Sequence, residues 1–150
     1  MYLPPVTDPQ IASWEYRRDL IAERIRQADP TIVCFQEVAP DSFAQDFAFM
    51  ATDLGFDGQE LFKKGRFRPA TFWKTEAVRL VAPPVHKDRT LLTAFARPDE
   101  QRRNNNHYWY VLNCHLQAGP QAPRRVRQIH EGVRSVLTLA RKLKGALALG

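Results

Sequence analysis

An α/β fold is predicted for this chain by three stretches. Residues 31–38 hold the apolar run Ile32, Val33, Cys34 and Phe35, fenced by Asp29 and Pro30 in front and Pro40 behind. A run that is short, rich in β-branched and aromatic residues and bounded by prolines reads as a strand buried on both faces. Residues 14–28 read as a helix feeding that strand. Residues 107–116, alternating aromatic and aliphatic side chains through Tyr108, Trp109, Tyr110, Val111 and Leu112, read as a second strong strand followed by a long helix.

Asp8 and Pro9 suit a helix start, an N-cap side chain followed by proline at the first helical position. One helix is predicted from there to about Ala28, with Ile11, Trp14, Ile21, Ile25 and Ala28 on its inner face. After the strand, Pro40, Asp41 and Ser42 open a second helix in which Phe43, Phe47, Met50 and Leu54 form a core stripe, and Gly55 ends it. A return to a sheet is predicted at 58–64. Residues 70–74 and 78–81 read as strands joined by so short a link that they should be antiparallel neighbours. A loop is expected over 83–88, a strand over 90–96 and a polar surface hairpin over 97–106. The last helix is predicted over 124–143, with Val126, Ile129, Val133, Val136, Leu137 and Ala140 facing inward.

The chain has 150 residues, 44% hydrophobic and 25% charged, a composition suited to one globular domain. No apolar run approaches the length of a membrane span, and residues 1–6 lack the pattern of a secretory signal, so an intracellular, cytoplasmic protein is expected. Cys34 and Cys114 are expected to be buried, reduced thiols. The net charge of +6 is unevenly placed: residues 1–60 carry 4 Lys/Arg against 11 Asp/Glu, and residues 61–150 carry 18 against 5. A basic second half suits a polyanion, although a solvated basic face explains the count equally well.

Glu37 stands where the first strand should leave its sheet, a position at which ligands gather in open α/β folds. Taken alone it reads as readily as a strand-end acid paired with a cation. Together with the helix before it, the runs Phe35-Gln36-Glu37-Val38 and Asn113-Cys114-His115-Leu116 resemble the endonuclease/exonuclease/phosphatase superfamily, and within it the branch of deadenylase-like nucleases. The resemblance extends from about Trp14 to the C-terminus. It implies a partial two-sheet α/β sandwich over 1–150, a single partial domain, and hydrolysis of phosphate esters with Mg²⁺ or Mn²⁺. On that resemblance Glu37 would hold the metal, and His115 and Asn113 would contact the scissile phosphate. Lys64, Arg66 and Arg68, with Lys63, would meet substrate, Phe67 or Trp73 could stack on a base, and Arg124, Arg125, Arg127 and Gln128 would mostly order a loop. Arg68 and Pro69 stand where the family usually has Asp-Gly. His86, His107 and His130 show no ligand clustering and read as incidental.

The family's first strand, its Gly-Asp-x-Asn motif and its terminal Ser-Asp-His motif have no counterpart here, so an incomplete active site is expected. The implied substrate is nucleic acid, hydrolysed at a phosphodiester bond. A phosphatase acting on a phosphorylated lipid or small molecule, and a non-catalytic nucleic-acid or protein-binding module, are the alternatives.

Overall fold

In the computed structural model, which describes residues 8–66, 68–99 and 107–147, the first helical segment is split in two. Helix α1 (Pro9–Ala12) stops at Ser13, whose extended backbone and hydroxyl, accepting the Tyr16 N–H at 3.2 Å, start α2 (Trp14–Ala28) afresh. Ile11 therefore lies exposed, while Trp14, Ile21 and Ile25 pack on the core. Asp29 caps α2 in the left-handed region, φ 40°, and accepts an ion pair from Lys74 at 2.6 Å.

Strand β1 (Ile32–Val38) is an edge strand, not one buried on both faces: among the described residues it pairs with β3 (Arg68–Trp73) alone. Val33 and Phe35 face the helices, and Ile32 packs in the intersheet cluster, as a period of two requires. Cys34 shares the face of Ile32 but lies on the open edge of the sheet and is exposed rather than buried, and neither cysteine forms a disulfide. The second helix is also broken, at Phe47, into α3 (Phe43–Asp46) and α4 (Ala48–Thr52). Its stripe packs inward as expected, with Phe47 and Met50 buried beside Phe72 of β3. Burying a side chain such as Phe72 contributes roughly 1.5–3 kcal/mol. Gly55, at φ 73°, turns the chain toward β2 (Gly58–Leu61), which pairs with β3 on the flank away from β1.

The expected hairpin between 70–74 and 78–81 does not form. Residues 75–77 carry the chain out of the first sheet, so β4 (Arg79–Leu80) pairs with β6 (Thr90–Ala96) of a second sheet. The 83–88 loop contains a further strand, β5 (Val85–Lys87), antiparallel to β6. Strand β7 (Trp109–Cys114) lies on the other flank of β6, pairing from Thr90↔Cys114 to Phe95↔Trp109. Trp73, Val78 and Phe95 fill the space between the sheets.

Helix α5 (Ala122–Leu147) covers the outer face of the second sheet, but with a different side from the one predicted. Gln128 and Gly132 are buried there, while Val126, Ile129, Val133 and Leu137 are exposed. Close approach to Leu112 sets this rotation, since a Cβ on Gly132 would lie 2.8 Å from Leu112 Cδ2. The result is a helix, sheet, sheet, helix sandwich of α/β class. Among the described residues no helix is long and apolar enough to cross a membrane. Phe67 and most of the 97–106 hairpin fall outside the described residues.

Candidate active site

Pairing of β1 with β3 is regular as far as Phe35↔Ala70 and resumes at Val38↔Arg68, so β1 carries one extra residue at its end. That residue count is a β-bulge, a device that re-aims side chains beside functional sites. Glu37 occupies it with φ 60°, a left-handed conformation that costs a non-glycine residue roughly 1–2 kcal/mol. The carboxylate projects to solvent with 71% of its side chain exposed. Gln36, one residue earlier, turns toward the second sheet.

Asn113 meets it there. The buried amide of Asn113 accepts from Gln36 Nε2 at 2.8 Å and donates to the Phe35 and Ala70 carbonyls at 3.1 and 2.9 Å. Both amide hydrogens are thereby spent on β1 and β3. The geometry makes Asn113 a tie between the sheets beneath Glu37, with no hydrogen left to offer a phosphate.

His115 lies two residues on, held by its N–H donating to the Arg89 carbonyl at 2.9 Å. Arg89 is itself left-handed, φ 68°, where the β5–β6 turn closes. The imidazole Nε2 stands 3.4 Å from Glu37 Oε1, while Nδ1 is buried without a partner. Nε2 is thus the ring nitrogen that faces the carboxylate and the cleft. Cys114 faces the opposite side of β7, its thiol donating to the Leu112 carbonyl and pushed up from the ordinary thiol range by burial.

A cleft of about 780 Å³ opens over His115, walled by Lys63, Lys64 and Arg66 from the loop after β2 and by Lys87 and Arg89 from the β5–β6 turn. Arg68 stands behind this wall, its Nε donating to the Gly65 carbonyl at 2.6 Å, and so shapes the loop. Trp73 is buried between the sheets and unavailable for stacking on a base. His107 lies just before β7 and His130 on the exposed side of α5, neither among the residues walling the cleft.

His86 gave no signal in the sequence beyond its position before Lys87, yet it fastens the basic loop. Its Nδ1 accepts the Lys63 N–H at 3.2 Å, and its Nε2 lies 3.0 Å from Glu60 Oε1. Burial holds this imidazole below the ordinary histidine range, with Glu60 opposing and the Lys63 charge adding to the depression. Beyond His115 the loop is tied to α5. Arg125 donates to the Gln117 and Gly119 carbonyls at 3.2 and 2.6 Å, and Gln128 Oε1 accepts the Gln117 N–H at 3.0 Å.

Glu37 is a hard oxygen donor at the rim of this cleft, the kind of ligand that suffices for Mg²⁺ when the ion keeps several waters. Among the described residues no group of three or more His, Cys, Asp or Glu converges. The residues present thus fit an ion held by a single carboxylate.

A family profile described as the Endonuclease/Exonuclease/phosphatase family matches residues 8–144. The chain is similar to the CCR4-Not complex 3'-5'-exoribonuclease subunit Ccr4 of Emericella nidulans, with 29% identity over 113 residues, 67% of this chain and 16% of that protein. Its fold is similar to that of ANGEL2, a 2',3'-cyclic phosphatase crystallised with adenosine-2',3'-vanadate, with a TM-score of 0.65, 18% identity and coverage of 86% of this chain and 41% of that one. It is also similar to TDP2 from C. elegans, with a TM-score of 0.62, 16% identity and coverage of 90% and 40%. The chain therefore spans less than half the length of each.

Proposed function

The chain belongs to the endonuclease/exonuclease/phosphatase family, and on that premise we propose that it carries the metal-holding and phosphate-gripping half of a phosphodiester hydrolase acting on nucleic acid. The observation that supports this most is the meeting of Glu37 and His115, from two different sheets, where His115 lines a cationic cleft and Glu37 stands at its rim. Glu37 would hold Mg²⁺ or Mn²⁺, and the ion, when bound, supplies polarisation of the phosphate and activation of water.

The chain's own residues do the rest. His115, its Nε2 3.4 Å from Glu37 Oε1, would donate from that nitrogen to a non-bridging phosphate oxygen. Lys64 and Arg66 draw the polyanion in and fix its backbone, a role that positions substrate without reading its sequence. Asn113 and Gln36 hold Glu37 at its height above the sheets. Arg125 and Gln128 keep the loop after His115 from collapsing into the cleft.

Likeness to Ccr4 favours a polynucleotide substrate. The likeness of fold to ANGEL2 supports a second reading, a phosphatase working on a terminal phosphate with the same groups. The test, run on this chain completed with the family's Gly-Asp-x-Asn and Ser-Asp-His segments, is cleavage of 5'-labelled oligo(A), single-stranded DNA and a phosphorylated small molecule with Mg²⁺. Internal or stepwise loss of nucleotides, reduced at least 100-fold by Glu37→Gln and by His115→Ala, is the expected result. Variants that keep wild-type activity, or activity indifferent to the metal, would overturn the site; release of phosphate alone would favour the second reading.

A further inference from the structure

We propose that the groove between β5 and α5 is a second phosphate-backbone subsite, which carries a single-stranded polynucleotide onward from the cleft above His115. This rests on the nucleic-acid reading of that cleft and extends it to a site outside the chemistry.

The groove has a volume of about 550 Å³ and is lined by Lys87 from β5 and by Arg134, Ser135, Thr138 and Lys142 from α5, with Glu131 its one acid. Arg134, Thr138 and Lys142 recur every four residues, which places them on one helical face looking along β5. Among the described residues, Lys87, Arg134 and Lys142 make no ion pair within 4 Å. Three cations against one acid along one concave surface give it a net positive potential and leave their mutual repulsion unrelieved. A polyanion removes that repulsion.

Continuity with the cleft identifies the ligand class. Val85 and Lys87 line both cavities, so β5 is a shared wall and Lys87 a cation common to the two. From Arg134 to Lys142 the helix advances on the order of 12 Å, a reach that adds to the cleft and that a single phosphate group cannot occupy. A linear chain of phosphodiesters can. Sequence-independent contact of this kind suits an enzyme that must hold any strand, since phosphate contacts position without specifying. The uneven charge of the sequence is then explained by place: cations of residues 61–150 line both cavities, and no residue of the acidic first half lines either one.

The test is fluorescence anisotropy with labelled RNA and DNA single strands of 3 and 15 nucleotides, using the whole chain. A double variant, Arg134→Gln with Lys142→Gln, removes two exposed cations, and Arg24→Gln with Arg26→Gln on α2 serves as the control. Wild-type chain is expected to bind the 15-mer at least tenfold tighter than the 3-mer. The α5 double variant should lose about tenfold for the 15-mer, leave the 3-mer unchanged and reduce the salt slope by about 1.4, the value for two phosphate contacts on a single strand. RNA and DNA alike should show this if only the backbone is held. A 15-mer indifferent to the α5 variant, or one equally weakened by the α2 control, would overturn the groove even if cleavage at Glu37 and His115 stands. Binding that follows Arg134 and Lys142 without any metal-dependent cleavage would uphold the groove while the hydrolase reading fails.

Discussion

Glu37 Oε1 and His115 Nε2 approach to 3.4 Å although their strands belong to different sheets. Neither residue is placed by its own strand alone. A one-residue bulge lifts Glu37 out of register, and the Arg89 carbonyl fixes the backbone of His115. The distance between the two groups is thus a property of the packed sandwich.

Backbone strain at Glu37 gives an expectation in which stability and function part. Glu37→Gly removes the penalty of a left-handed non-glycine residue, roughly 1–2 kcal/mol, and loses part of it to the greater freedom of glycine in the unfolded chain. Chemical denaturation should show stability unchanged or raised by up to about 1 kcal/mol, with any metal-dependent activity abolished. A loss above 1 kcal/mol would show that the carboxylate supports the fold.

Asn113→Ala should do the reverse. It removes the three hydrogen bonds by which the buried Asn113 amide ties Gln36 and the Phe35 and Ala70 carbonyls across the two sheets, each contributing about 0.5–1.5 kcal/mol, and leaves a cavity in their place. A loss of at least 3 kcal/mol in urea is expected, together with faster amide exchange in β1. A mild loss confined to substrate binding would return Asn113 to direct phosphate contact.

Neighbouring positions on α5 separate its two faces. Gly132→Val drives side-chain atoms into Leu112 and should cost about 2 kcal/mol. Val133→Lys, at a residue 45% exposed, should change stability by less than about 0.5 kcal/mol. Thermal melts of the two single variants decide this, and the opposite order would restore the apolar face to the interior.

His86 should make the fold acid-sensitive. Its folded pKa is depressed, so the unfolded chain binds the proton more readily, and stability present above the ordinary histidine value of 6.5 is lost as the pH falls through the folded pKa. Protonation also removes the acceptor of the Lys63 N–H. Melting temperature should therefore fall between pH 7 and pH 5, and fall less in His86→Asn, which keeps an acceptor near Nδ1 and cannot titrate. Identical pH profiles for the two proteins would remove His86 from the account.

Periodicity and turn residues made most elements legible. The strand at 90–96 and the apolar stripe of Phe43, Phe47, Met50 and Leu54 were readable because burial leaves a local pattern with a fixed period. The split at Ser13 and the strand at 85–87 left weaker marks, one a capping hydroxyl within a helical pattern and the other three residues behind two prolines. Partner choice left none, which is why the short link at 75–77 read as a hairpin and proved to be a passage between sheets.

The sequence by itself determined the residue types that phosphate chemistry needs, an acid and a histidine ending two apolar strands, and the excess of cations in the second half. Only the tertiary structure decided which cations converge, that the Asn113 amide is consumed within the sandwich, that His86 holds the basic loop, and which face of α5 is buried. The physical reason is that composition and period record burial along one element, whereas distances across two sheets depend on register, a bulge and the close approach of Gly132 to Leu112, and these exist only once the layers have packed.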